Sequence, residues 1–337
     1  MGNPVLVEVV RGSRVESEHR GRVAVVDAGG AAVLAFGEIE RPIFPRSAIK
    51  PMQALPLLES GAADRFGFGD EELALASASH SGEPVHVAVV ERMLARAGLD
   101  VSALSCGAHP PIHAASARAL ARAGREPTPL HNNCSGKHGG FLCAACALGA
   151  EPAGYTNPEH AVQREVRAAL EGLAGVSIAE GSYGVDGCSV PTWPLPLDRL
   201  AGAFARFATG QGLGPERVRA AARITTAYAA RPYLVAGTGR FCTRIMEHFG
   251  KRILVKTGAE GVLCGAFPEL GLGIAIKCDD GAGRAAEVVM AALIARLLPL
   301  DRADDALLAP MLHPALRNWN GIEVGALRPT EILAQRT

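Results

Sequence analysis

Ser47 and Lys50 stand three residues apart in the stretch Pro45-Arg46-Ser47-Ala48-Ile49-Lys50, a spacing that suits amide chemistry. A serine hydroxyl is a poor nucleophile until a base takes its proton. On a helical turn residues i and i+3 share one face, so the lysine amine can reach the hydroxyl. Lysine serves as that base only if burial or a nearby cation keeps it neutral part of the time. Pro51 follows directly and biases Lys50 away from helical angles, which predicts an irregular turn there or a helix that starts at Pro51. Far downstream, Lys256-Thr257-Gly258 ends a strand-like run. A cation there can bias the site toward a neutral Lys50 or hold a substrate carboxylate, and the glycine lets backbone approach closely.

S-x-x-K followed by K-T-G is the order of the first and third motifs of the class A β-lactamases and penicillin-binding proteins. Their middle S-D-N motif is missing; Ser77-Ala78-Ser79-His80-Ser81-Gly82-Glu83 takes its place. That stretch offers a second active serine, Ser79, while Ser81 reads as a cap for a helix beginning at Glu83. The densest polar cluster is His131-Asn132-Asn133-Cys134-Ser135-Gly136-Lys137-His138, in a loop that enters a helix. Asp186-Gly187-Cys188 lies in a Gly- and Pro-rich segment. Cys134 and Cys188, if the fold joins them and adds a third ligand, suit zinc; otherwise they are two buried thiols. Cys143-Ala144-Ala145-Cys146 lies in an apolar helical run and reads as helix packing. Gly281-Ala282-Gly283 precedes a helix, but no strand follows it as a dinucleotide site requires, so it reads as a helix start.

The elements that must position these residues fall into three blocks. Residues 4–44 read as short strands (5–10, 22–26 and 32–36) with turns that favour antiparallel neighbours. Residues 47–230 read mostly as helices, at 51–60, 70–78, 84–97, 114–123, 137–148, 158–173, 197–208 and 215–230. Residues 235–298 return to strands (252–256, 261–265 and 272–277) and close on a helix over 284–298; the tail is less patterned, with one further strand at 321–325. The expected fold is α+β: a largely antiparallel central sheet built from both ends of the chain, with a helical block on one side. No repeat or linker marks a boundary, so 1–337 reads as one catalytic unit with two lobes.

Basic and acidic residues balance at 34 each, and no arginine-rich arm appears, so nucleic acid is not an expected partner. Met1–Leu6 does not read as a signal peptide, and the apolar run Val288–Leu298 is too short to span a bilayer. A cytoplasmic protein with free thiols and no membrane partner is expected.

Taken together, Arg46-Ser47-Ala48-Ile49-Lys50-Pro51, Ala78-Ser79-His80-Ser81-Gly82-Glu83, Asn132-Asn133-Cys134-Ser135-Gly136-Lys137-His138, Asp186-Gly187-Cys188, Ala236-Gly237-Thr238-Gly239-Arg240-Phe241 and Lys256-Thr257-Gly258-Ala259-Glu260-Gly261 run in order along the chain. In these motifs the chain resembles the Rhizobium etli-type L-asparaginases, relatives of serine β-lactamases and glutaminases. The resemblance implies hydrolysis of L-asparagine to L-aspartate and ammonia by two Ser-Lys pairs, Ser47 with Lys50 and Ser79 with Lys256. It implies zinc held by Cys134, Lys137 and Cys188 beside the substrate, and a homodimer. Asp186, His138, Arg240 and Ser81 are the expected substrate contacts.

Overall fold

The strands from the two ends of the chain interleave. In the computed structural model, which describes residues 2–334, eight strands form one antiparallel sheet. Its order from one edge is Ala315–Arg317, Glu323–Pro329, Val5–Arg11, Arg14–Asp27, Leu272–Cys278, Val262–Phe267 and Leu254–Thr257; Ala32–Phe36 pairs alongside Arg14–Asp27. The fold is α+β, as expected.

Arg14–Asp27 is far longer than the strand expected over 22–26. Its first half, from Arg14 to Arg20, is polar and mostly exposed and pairs with Val5–Arg11. Its second half pairs with Leu272–Cys278 in unbroken register, Gly21 opposite Cys278 through Asp27 opposite Leu272. From Gly21 to Val26 every residue is buried, and the same holds for Val262–Phe267. Consecutive burial of this kind needs both sheet faces covered. Helix Leu197–Thr209 and helix Gly283–Leu297 pack on these strands, so helices do not lie on one side alone. The buried apolar residues form one continuous cluster from the sheet into the helical middle.

The helical middle follows the expected pattern, with helices such as Asp70–Ala76, Pro84–Arg96, Ser135–Ala147, Ala161–Ala174 and Pro215–Ala230. Ser135–Ala147 is buried from Ser135 to Ala145, which places it inside the block. Cys143 is buried in this helix and Cys146 partly so, consistent with packing. The helix after Gly281-Ala282 starts at Gly283.

Three expectations are corrected. The strand block does not begin at 235: helices Pro232–Val235 and Phe241–Phe249 come first. The tail holds helix Arg302–Leu312 and a longer strand, Glu323–Pro329, which pairs with Val5–Arg11. Lys50 is helical, at φ −56° and ψ −33°. Pro51 sits in the first turn, where its missing N–H needs no partner. The irregularity lies earlier, in a 3-10 turn over Arg46–Ile49 that opens with Arg46 at φ +53°. Among the described residues no helix is long and apolar enough to cross a membrane.

Candidate active site

Two lysines converge on one hydroxyl. Lys50 points inward from its first helical turn and is buried. Its Nζ donates to the Ala78 carbonyl at 2.6 Å, the Ser79 hydroxyl at 2.9 Å and the Cys134 sulfur at 3.1 Å. The Asn133 carbonyl lies a little farther off, at 3.4 Å. Lys256, on the edge strand Leu254–Thr257, reaches Ser79 Oγ at 2.8 Å and the Thr257 carbonyl at 2.7 Å. Burial pushes the Lys256 pKa down to about 7, and the charge of Lys50 pushes the same way. Lys256 therefore exchanges its proton near pH 7.

Ser79 is held for this role by its backbone, whose N–H donates to the Val235 carbonyl at 3.0 Å, while the next N–H, of His80, donates to Asn133 at 3.1 Å. Ser47 stands half-buried on the 3-10 turn. Its hydroxyl has no hydrogen bond to Lys50 among the described residues, although the spacing suggested one; Lys50 turns to Ser79 instead. The turn packs on the strand end through Gly258, where a Cβ would lie 2.9 Å from the Pro45 carbonyl and 3.3 Å from the Ala48 nitrogen. The glycine of K-T-G thus admits the backbone of the S-x-x-K turn.

Asp186 lies beside this turn. Arg46 Nε donates to its Oδ1 at 2.8 Å and Nη2 lies 2.7 Å from the same oxygen, while the Gly187 N–H donates to it at 2.7 Å. Burial would raise the Asp186 pKa, but the Arg46 hydrogen bond and the Lys137 charge outweigh it and hold the carboxyl below its usual range. The Arg46–Asp186 pair was not foreseen. Its one sequence signal is that Arg46 precedes Ser47; nothing in the spacing ties it to a residue so far along the chain.

His138 is fully buried and neutral, its pKa held well down by burial and then by Lys137 and Lys50. Tyr155 OH accepts the Ser105 N–H at 2.8 Å and lies 2.6 Å from His138 Nδ1. Burial holds the phenol protonated, so it donates to Nδ1. That assigns the ring proton to Nε2, which is buried with no partner among the described residues. Arg240 is partly exposed at the entrance of helix Phe241–Phe249, and its charge bears on Lys256. Ser81 is turned elsewhere: its hydroxyl donates to the Ala236 carbonyl at 2.7 Å. It does not cap the following helix, whose N-cap is Glu83.

Cys134, Cys188 and Lys137 come together. Cys134 Sγ accepts from Lys50 Nζ at 3.1 Å and lies 3.3 Å from Asn133 Oδ1, and Lys137 Nζ donates to Cys188 Sγ at 3.1 Å. The Cys188 hydrogen bond and the charges of Lys50 and Lys137 hold Cys134 well below the usual thiol range, against burial. Cys188 is pushed up by its bond to Cys134 and by burial. Burial works against the charge of Lys137, yet the two sulfurs outweigh it and raise its pKa. Among the described residues no three His, Cys, Asp or Glu side chains form a metal-binding group; the set here is two thiols and an amine.

No relative was found among curated protein sequences. Among solved structures the chain is similar to a β-lactamase (Mb2281c) from Mycobacterium bovis, at 16% identity over 86% of this chain and 94% of that chain, TM-score 0.38. It is also similar to a protein described as Mglu, at 17% identity over 84% of this chain and 69% of that chain, TM-score 0.35. The L-asparaginase II family model matches residues 7–329. A match over nearly the whole described chain, around a buried serine between two lysines, makes this protein a member of the L-asparaginase II family and an amidohydrolase of the asparaginase type.

Proposed function

We propose that the protein hydrolyses L-asparagine to L-aspartate and ammonia, with Ser47 as nucleophile, Ser79 as proton relay and Lys256 as the base. The observation that carries this reading is Ser79 Oγ lying 2.9 Å from Lys50 Nζ and 2.8 Å from Lys256 Nζ, with burial lowering the Lys256 pKa to about 7. Ser47 Oγ attacks the side-chain amide carbon and passes its proton to Ser79, which passes its own to Lys256. The backbone N–H of Ser47 stabilises the oxyanion. Lys256 returns the proton through Ser79 to the leaving nitrogen and ammonia departs. Water then cleaves the β-aspartyl ester by the reverse relay. Lys50, which donates to Ser79 Oγ, keeps that oxygen ready to pass its proton on. In this relay Lys256, with its lowered pKa, takes the part of base that the spacing suggests for Lys50.

L-Asparagine carries an ammonium and a carboxylate at its far end. Asp186, fixed by Arg46, takes the ammonium; Arg240 takes the carboxylate; the unpartnered Nε2–H of His138 donates to the substrate. An ill-fitting end leaves buried charge unpaired, which is how such a site discriminates. Ser81 serves by holding Ala236 in the pocket wall.

Zinc fits the Cys134, Cys188 and Lys137 set: both sulfurs and the amine are buried, Lys137 Nζ touches Cys188 Sγ, and the Cys134 thiol is held well below its usual range, which eases its loss of a proton to a metal. Bound there, zinc supplies a fixed positive centre in the pocket wall. The resemblance of the motifs also supports a cytoplasmic homodimer, which light scattering on the purified protein and localisation of the native chain would check.

The deciding experiment measures ammonia release from L-asparagine, with L-glutamine in parallel, by wild type and Ser47→Ala, each with and without chelator. Turnover by wild type and silence of the serine variant support the acyl-enzyme reading; activity surviving chelation makes zinc a supporting group. A serine variant that stays active, and stops only on chelation, overturns it in favour of metal-activated water.

A further inference from the structure

Glu83 is 5% exposed, and a buried carboxylate is costly unless its oxygens are hydrogen-bonded. Its partners come mainly from one segment. Oε1 accepts the Thr238 N–H at 2.9 Å; Oε2 accepts the hydroxyls of Thr238 and Tyr233, each at 2.7 Å. His113 Nδ1 lies 3.5 Å from Oε2. These hydrogen bonds outweigh burial and hold the carboxyl below its usual range.

The same two stretches are joined at three further points. Ser79 N–H donates to the Val235 carbonyl at 3.0 Å, and Ser81 Oγ to the Ala236 carbonyl at 2.7 Å. Gly237, at φ +113°, lies flat against them: a Cβ there would sit 2.5 Å from Glu83 Oε1 and 2.7 Å from Ser81 Oγ. Residues 79–83 and 235–238 are thus stitched together from the relay serine outward. Thr238 and Gly239 are exposed, so their own burial does not hold them; the buried carboxylate does. Two residues beyond the last stitch is Arg240.

We infer that Glu83 is a positioning residue for the amide hydrolysis: it anchors the exposed Thr238–Gly239 turn and thereby aims Arg240 at the substrate's α-carboxylate. The inference rests on the asparaginase reading given above. Glu83 touches neither substrate nor reacting atoms, so its removal acts on binding through Arg240 and spares the relay.

The test uses the full chain with Glu83→Gln, Arg240→Ala and the double variant. Glu83→Gln keeps the volume but faces its donors with an amide N–H. It is expected to raise KM for L-asparagine about 10-fold or more, the loss of charged hydrogen bonds, with kcat within about threefold. Added to Arg240→Ala, it costs nothing further. Trypsin cleavage after Arg240 in the native protein speeds up about 10-fold as the turn loosens. Should Glu83→Gln fail to fold, Thr238→Val removes one donor from an exposed position and takes the same readouts. A fall in kcat with KM unchanged, additivity with Arg240→Ala, or unchanged cleavage after Arg240 overturns the inference. A wild type inert toward L-asparagine sinks the asparaginase reading instead, and the cleavage rate then still decides whether Glu83 holds the turn.

Discussion

Ser79 illustrates how little a side chain's role depends on its own sequence neighbourhood. Its two lysine partners come from distant parts of the chain, and only the fold puts Lys256 in a dry enough place to lose its proton near pH 7. The neutral amine is the working form, so kcat/KM for L-asparagine should fall about tenfold per pH unit below about 7 and level off above it. Lys256→Met should lower kcat/KM by about 100-fold or more and abolish that acid limb. The same variant should be more heat-stable than wild type. The penalty on a buried ammonium is fully present at and below pH 7 and fades as the pH rises toward 10.5, the ordinary pKa of the unfolded lysine, so the gain in Tm should shrink over that window. A thermal melt at several pH values checks the sign. A further residue-scale expectation concerns Tyr155. Tyr155→Phe removes the donor that keeps the proton of His138 on Nε2, so KM for L-asparagine should rise several-fold, and a nitrogen-15 NMR spectrum of the imidazole should show a mixed tautomer.

At the scale of elements, the site depends on a 3-10 turn meeting a strand end. Gly258→Ala would drive a methyl group against the Pro45 carbonyl at 2.9 Å and push the Ser47 turn off the strand. The expected result is a folded protein, by circular dichroism, with kcat down about 10-fold or more. Zinc is testable at the level of the loop and helix that carry its ligands. Cobalt added to metal-free protein should give a sulfur-to-cobalt charge-transfer band that Cys188→Ser weakens and Lys137→Met alters. No band in wild type would reject the metal site. The sequence motifs singled out Ser47, Lys50, Ser79, Lys256 and the cysteine set because each type sits in a short, unusual context, and the fold brings Lys50, Ser79 and Lys256 together. They could not reveal that burial lowers the Lys256 pKa or that Arg46 meets Asp186, since burial and cross-chain pairing belong to the fold. Ser81 looked like a helix cap because it precedes an apolar periodic run, yet Glu83 is nearer the helix and takes the N-cap position. Helix spans in the middle block were legible from their apolar stripes. The first half of Arg14–Asp27 was not, because it is charged and exposed and is a strand only by virtue of its partner.

At the scale of the whole molecule, the two ends of the chain share one sheet around a helical interior, and the active site lies where they meet. Lys256 comes from the late strands and Lys50 from just after the early ones, so the proposed relay can form only once both are docked. Denaturant titration should therefore show activity lost together with the sheet signal and no active intermediate. A chain ending at residue 253 lacks the Leu272–Cys278 partner, so the amides of Gly21–Asp27 that face that strand should lose hydrogen-exchange protection, while those facing Ala32–Phe36 keep theirs.

The long strand Arg14–Asp27 has a consequence for how the protein is made. Its buried half pairs with Leu272–Cys278, which leaves the ribosome only after the entire helical block has been synthesised. Until then Val23-Ala24-Val25-Val26, an apolar ribbon with one edge of its backbone groups unpaired, stays available to any neighbouring nascent chain. Yield in the cell should thus be set by the race between translation of the late strands and capture of the early ones, and should improve when a chaperone holds the amino-terminal segment during synthesis.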